Sequence, residues 1–119
     1  MDSIEVTWND ITATLTAPRA SARSIRRRYY SVLENAGETF DSAWETASLW
    51  LYITEINGMD WQPPSAANDS EILQRWREWC ELPLLLVDTL FAARFKLDTQ
   101  NSGDLAFGED SDPNAESGG

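Results

Sequence analysis

A chain of 119 residues has room for one domain, and its net charge of −11 at pH 7 argues against a general nucleic-acid binder, which needs a basic face to neutralise phosphates. Histidine is absent and cysteine occurs once, at Cys80. An intramolecular disulfide is thereby excluded, zinc is short of ligands, and catalysis lacks its commonest general acid/base.

Ile4 to Trp8 and Ile11 to Thr16 each alternate apolar and polar residues, with Asn9-Asp10 between them. Both of those residues tolerate the positive φ of a tight turn, so the reading is a β-hairpin over about residues 4–16. Ile4, Val6 and Trp8 would share one face with Ile11, Ala13 and Leu15, and that face must be covered, because a lone hairpin is marginal in water.

Pro18 ends the second strand. A first helix follows, with Ser21 as cap and Gly37 as stop signal, on a stripe of Ala22, Ile25, Tyr29, Val32 and Ala36. Thr39 or Asp41 caps a second helix running to Asn57-Gly58. Its core stripe is Phe40, Ala43, Trp44, Ala47, Trp50 and Leu51, widened by Leu49, Tyr52, Ile53 and Ile56. Residues 58–68 form a Pro-marked loop containing Trp61. Asn68 and Glu71 have capping-box spacing for a third helix, with Ser70 as an alternative cap, and Ile72, Leu73, Trp76, Trp79 and Cys80 share a face of it.

Pro83 breaks or kinks the third helix and suits the first turn of a fourth. Leu84 to Leu97 places ten apolar residues in fourteen, too many for one buried stripe, so this helix is central or belongs to an interface. As a helix the run is only ~21 Å long against a ~30 Å bilayer core, and the N-terminus lacks a secretory signal pattern; no membrane span and a cytoplasmic location are expected. From Asp98 onward the composition turns to Gly, Ser, Asn and acids, which predicts a disordered acidic tail over 98–119 behind a single domain over 1–97. The fold class expected is mainly α with an N-terminal hairpin (α+β), built on four helices.

Six tryptophans are a heavy load. Trp44, Trp50, Trp76 and Trp79 have core spacing, whereas Trp61 lies off any stripe and is a candidate anchor for a partner. Arg19, Arg23, Arg26, Arg27 and Arg28 form a block without an intervening acid, while 98–119 carries six acids and no base. The block lies near a helix start, where positive charge gains nothing locally; an acidic partner, or the chain's own tail, would complement it. Candidate partner-binding residues are Trp61, Trp76, Trp79, Leu84, Val87, Phe91, Arg26 and Arg27. Cys80, on an apolar face, reads as a buried inert thiol, and Glu109-Asp110 falls in the tail, where nothing separates the two acids' pKa values. No nucleophile–base pair, metal cluster or Gly-rich phosphate loop appears, so no catalytic residue and no cofactor are assigned.

Trp76-x-x-Trp79 leads into Leu82-Pro83-x-x-x-Val87-Asp88-x-Leu90-x-x-Ala93. This unit, together with the strand pair and helical middle, resembles the tail assembly chaperones of tailed bacteriophages, small acidic helical proteins. The resemblance implies a non-enzymatic role: holding the long tape measure protein while tail-tube subunits assemble around it. It also implies that a longer form can be made by ribosomal frameshifting, and it brings no catalytic residues. An over-apolar helix with aromatic neighbours suits helix-in-groove binding, either to a client helix or within a homo-oligomer. Two alternatives stand beside it: a structural virion component such as a head–tail connector or tail subunit, and an acidic inhibitor that mimics nucleic acid.

Overall fold

The computed structural model describes residues 2–65 and 68–106. The hairpin forms as expected: β1 (Ser3–Trp8) pairs antiparallel with β2 (Ile11–Thr16), with Trp8 opposite Ile11 and Ser3 opposite Thr16. Asn9 takes the positive φ of the turn, 54°. A 3-10 turn at Ala20–Ala22 leads into α1 (Arg23–Asn35), where Ser21 was expected to cap; no side chain caps either start. At the other end Gly37 (φ 107°) closes a Schellman motif, with the Glu38 amide donating to Leu33 O and the Gly37 amide to Glu34 O.

Helix α2 (Phe40–Tyr52) begins as expected, with Thr39 Oγ1 accepting from the Ser42 amide at 3.3 Å. It does not reach Asn57. A third strand, β3 (Ile53–Asn57), takes over at Ile53 and pairs antiparallel with β2, so the sheet order is β1-β2-β3. Ile53, Thr54 and Ile56 are β-branched and fit a pleated surface better than a helix interior. Leu15 opposes Ile53 and Thr14 opposes Glu55, which leaves Thr54 as the extra residue of a bulge. Thr54 Oγ1 donates to Thr14 O at 3.0 Å. The bulge turns Ile53 and Ile56, three apart, onto the same buried face.

Helix α3 (Asp69–Cys80) is capped by Asn68, whose Oδ1 accepts from the Ser70 and Glu71 amides at 2.9 and 3.2 Å. The box is not reciprocal, because the Glu71 carboxylate accepts from the Ser65 amide at 3.0 Å instead. Asn68→Ala should lower stability by about 1 kcal/mol, and Asn68→Asp should retain most of it, as read from urea unfolding midpoints. The chain breaks at Pro83, whose carbonyl accepts from the Leu86 and Val87 amides, and α4 (Leu84–Ala106) starts there.

Helix α4 corrects the boundary expected at residue 97, since it continues to Ala106. Extending a formed helix costs far less than starting one, so polar residues, and even Gly103, can be carried on an established end. The remainder of the expected tail, 107–119, lies outside the described residues.

One core gathers these elements. Ala13, Leu15, Ile53 and Ile56 from the sheet meet Tyr29 and Leu33 of α1, Ala43, Ala47, Leu49 and Trp50 of α2, and Ile72 of α3. Leu86, Leu90, Ala93 and Leu97 complete it from α4 at alternating four- and three-residue spacing. Among the described residues, no helix is long and apolar enough to cross a membrane.

Candidate interaction surface

Burial divides the tryptophans. Trp61 is only 4 % exposed and Trp79 7 %; with Trp50 they form an interior triad whose ring centroids lie 5.0–5.9 Å apart. The Trp61 indole donates to Arg75 O at 2.9 Å, and the Tyr29 hydroxyl donates to Pro64 O, so the Pro-marked loop is fastened to the helices at two points. Trp61 was an anchor candidate because its loop carries no periodicity. The structure packs it and Trp79 inside the fold, where neither presents a surface to a partner. Trp76 and Val87 are half-buried against the core.

What α4 leaves outside is sharply defined. Leu84 is 72 % exposed, Leu85 65 % and Phe95 73 %, while Phe91 is half-buried. Leu84, Phe91 and Phe95 stand seven and four residues apart, hence along one stripe of the helix, opposite its buried side. Phe91 and Phe95 form one wall of a groove of about 340 Å³ against Trp44, Glu45 and Ser48 of α2. Among the described residues, the Ser48 hydroxyl on that wall has no hydrogen-bond partner. Arg94 and Asp98 close one end: Arg94 lies 4.9 Å over the Tyr52 ring and 3.5 Å from Asp98, which also accepts from the Tyr52 hydroxyl at 2.6 Å. Burial, and then the hydrogen bond donated to Asp98, hold the Tyr52 phenol above its usual pKa.

Beyond Trp44 the apolar surface continues onto α1. Phe40, 59 % exposed, stacks on Trp44 at 6.1 Å, and Tyr30 meets both rings edge-on at 5.5 Å. Arg26 covers the other side of the ledge, with its guanidinium 4.4 Å from the Trp44 ring centroid. Arg27 is exposed and lines a separate depression with Arg28 and Asp69, which pair at 3.2 Å. Of the residues singled out from sequence, Phe91 and Arg26 adjoin the ledge directly, and Leu84 extends it along α4.

Sequence reasoning missed Phe40, Trp44 and Phe95 as surface. The first two fell on the expected core stripe of the second helix, and no periodic signal reveals that a stripe overhangs the edge of the packed layer. Cys80 also differs from expectation, since it is exposed. Partial desolvation, followed by the charges of Glu38 and Glu81, raises its thiol pKa, which leaves little thiolate at neutral pH. Among the described residues, no group of His, Cys, Asp or Glu is placed to hold a metal ion. No protein-family model, no curated protein and no solved structure matches the chain.

Proposed function

We propose that this protein is a non-enzymatic tail assembly chaperone or adaptor of a tailed bacteriophage, working in the host cytoplasm. Its client is an apolar helical segment of the kind a tape measure protein supplies, held while the tail tube assembles. The observation that carries the reading is the continuous ledge of Tyr30, Phe40, Trp44, Phe91 and Phe95 beside an open groove between two helices. A helix laid in that groove would cover Phe40 and Phe95, which the fold leaves in water, by the helix-in-groove mode. Large aromatic side chains supply most of the energy in such contacts.

The test is a Phe40→Ser/Phe95→Ser protein. Both side chains are exposed, so the loss of stability should be modest, about 1–2 kcal/mol, from the contacts of Phe40 with Tyr30 and Trp44, and the fold should be retained. Binding of an extrinsic apolar dye, and capture of a synthetic amphipathic helical peptide with an apolar face, should be lost. Unchanged dye and peptide binding would sink the groove as the client site, and a gene setting without phage structural genes would sink the chaperone reading itself.

A second reading, a structural virion subunit, rests on β1. It is an edge strand of the sheet and could accept a neighbour's strand. Purified particles would then contain the protein, whereas a chaperone would be absent from them.

A further inference from the structure

Arg19, Arg23 and Arg27 line no part of the α2/α4 groove; Arg26 is the member of the block that borders it, through the Trp44 ring. Arg23 and Arg27 are exposed and one turn apart on α1, with Arg19 just before the 3-10 turn. Among the described residues, none of these three has a carboxylate within ion-pair distance; Arg28 is the member of the block that does, through Asp69. Arg19, Arg23 and Arg26 line an open cavity of about 250 Å³ with Leu51 and Tyr52. The local backbone adds to the charge rather than offsetting it. Helix α1 has no acid in its first turn and no side-chain cap, so its positive end sits beneath the guanidinium groups. The result is a cationic island on a chain of net charge −11.

An acidic segment begins where α4 ends. Residues 107–119 contain Glu109, Asp110, Asp112 and Glu116 and neither Lys nor Arg. Helix α4 passes one side chain away from the cavity, because Tyr52, which lines it, is the residue that Arg94 and Asp98 hold. From Asp98 the helix continues ~12 Å to Ala106, and an extended segment of the length of 107–119 spans up to ~40 Å. The return to α1 is therefore within reach whichever way the helix points.

We propose that residues 107–119 dock on the Arg19, Arg23 and Arg27 face as an intramolecular counter-charge. The tether holds the acids at an effective concentration in roughly the millimolar range, so that pairs too weak to form singly act together.

The experiment uses the full chain with a nitroxide at position 117, introduced as Ser117→Cys in a Cys80→Ser background because the exposed Cys80 would also take the label. In about 0.01 M salt, where charges act over roughly 30 Å, the backbone amide signals of residues 19–28 should be broadened. In about 1 M salt, where the range falls to roughly 3 Å, those signals should recover. They should also recover in low salt in the Arg23→Gln/Arg27→Gln chain, which alters two exposed side chains. Absence of broadening at α1 in low salt overturns the proposal, and so does broadening that survives 1 M salt. Broadening that appears only between a spin-labelled chain and a separate isotope-labelled one assigns the contact to a second copy and equally overturns it.

Discussion

Trp50→Ala should lower the unfolding free energy by about 3–5 kcal/mol, much of the roughly 5–15 kcal/mol that holds a domain of this size folded. Trp50 is 1 % exposed and touches Tyr29, Trp61 and Trp79 at centroid distances of 5.4, 5.7 and 5.9 Å. Truncating it opens a cavity where α1, α2, α3 and the Pro-marked loop meet, and two of the remaining rings, Tyr29 and Trp61, belong to side chains fastened elsewhere by hydrogen bonds. They are poorly placed to collapse into the space. Trp50→Phe should be far milder, at most about 2 kcal/mol, because the indole N–H of Trp50 has no partner among the described residues and its removal ends a buried unsatisfied donor. Urea unfolding followed by far-UV circular dichroism measures both. The midpoint should shift at constant slope, and a Trp50→Ala midpoint near that of the parent would show that the triad is not the centre of the core.

Gly58→Ala is expected to cost about 3 kcal/mol, well above what the same change costs at Gly37. Both glycines have positive φ, 97° at Gly58 and 107° at Gly37, so both substitutions incur the left-handed penalty of about 1–2 kcal/mol. Their surroundings differ. A Cβ at Gly37 would meet nothing within 4 Å, whereas at Gly58 it would press on the Asp10 carbonyl oxygen and come within 3.1 Å of Ile11 Cα. Those atoms are backbone at the β1–β2 turn and cannot rotate away as a side chain can. The end of β3 is thus seated against the hairpin turn through the absence of a side chain. Equal destabilisation of the two alanine variants would show that backbone strain alone sets the cost.

Much of the architecture is legible in the residues because local chemistry and tertiary packing agree there. Alternation marks the hairpin, Asn9 adopts the turn conformation its side chain tolerates, and Gly37, Thr39, Asn68 and Pro83 place helix ends within a residue or two of where they lie. The third strand was hidden by its bulge. Ile53 and Ile56 both face the core three residues apart, a spacing that belongs to a helix face and that an ordinary strand cannot produce. Here periodicity gives the wrong element for a physical reason, since an inserted residue converts the two-residue repeat into a three-residue one. The far end of α4 was hidden differently, because composition reports what a segment can bury, whereas helix continuation needs only the turn before it.

The candidate surface was less legible than the fold. An aromatic residue on a helical stripe carries the same signature whether the neighbouring layer covers it or stops short, so Trp44 and Trp50 look alike in sequence and part company only in space. Off-stripe position was an equally poor guide at Trp61, where a loop side chain supplies part of the interior. The exposed stripe of α4 came closer to being readable: the excess of apolar residues was visible, and the core residues Leu86, Leu90, Ala93 and Leu97 identify which of them were surplus.

Arg26 is a wall shared by two surfaces. Arg26 lines the cationic cavity, and its guanidinium lies over the Trp44 ring, which forms part of the groove beside Phe91. An anion that draws the guanidinium toward the cavity weakens its hold on the ring, and a guest that repositions the ring alters what the cavity offers an anion. Were both surfaces occupied, any coupling through this side chain would be reciprocal: whatever factor one occupant imposed on the other's affinity would be returned unchanged.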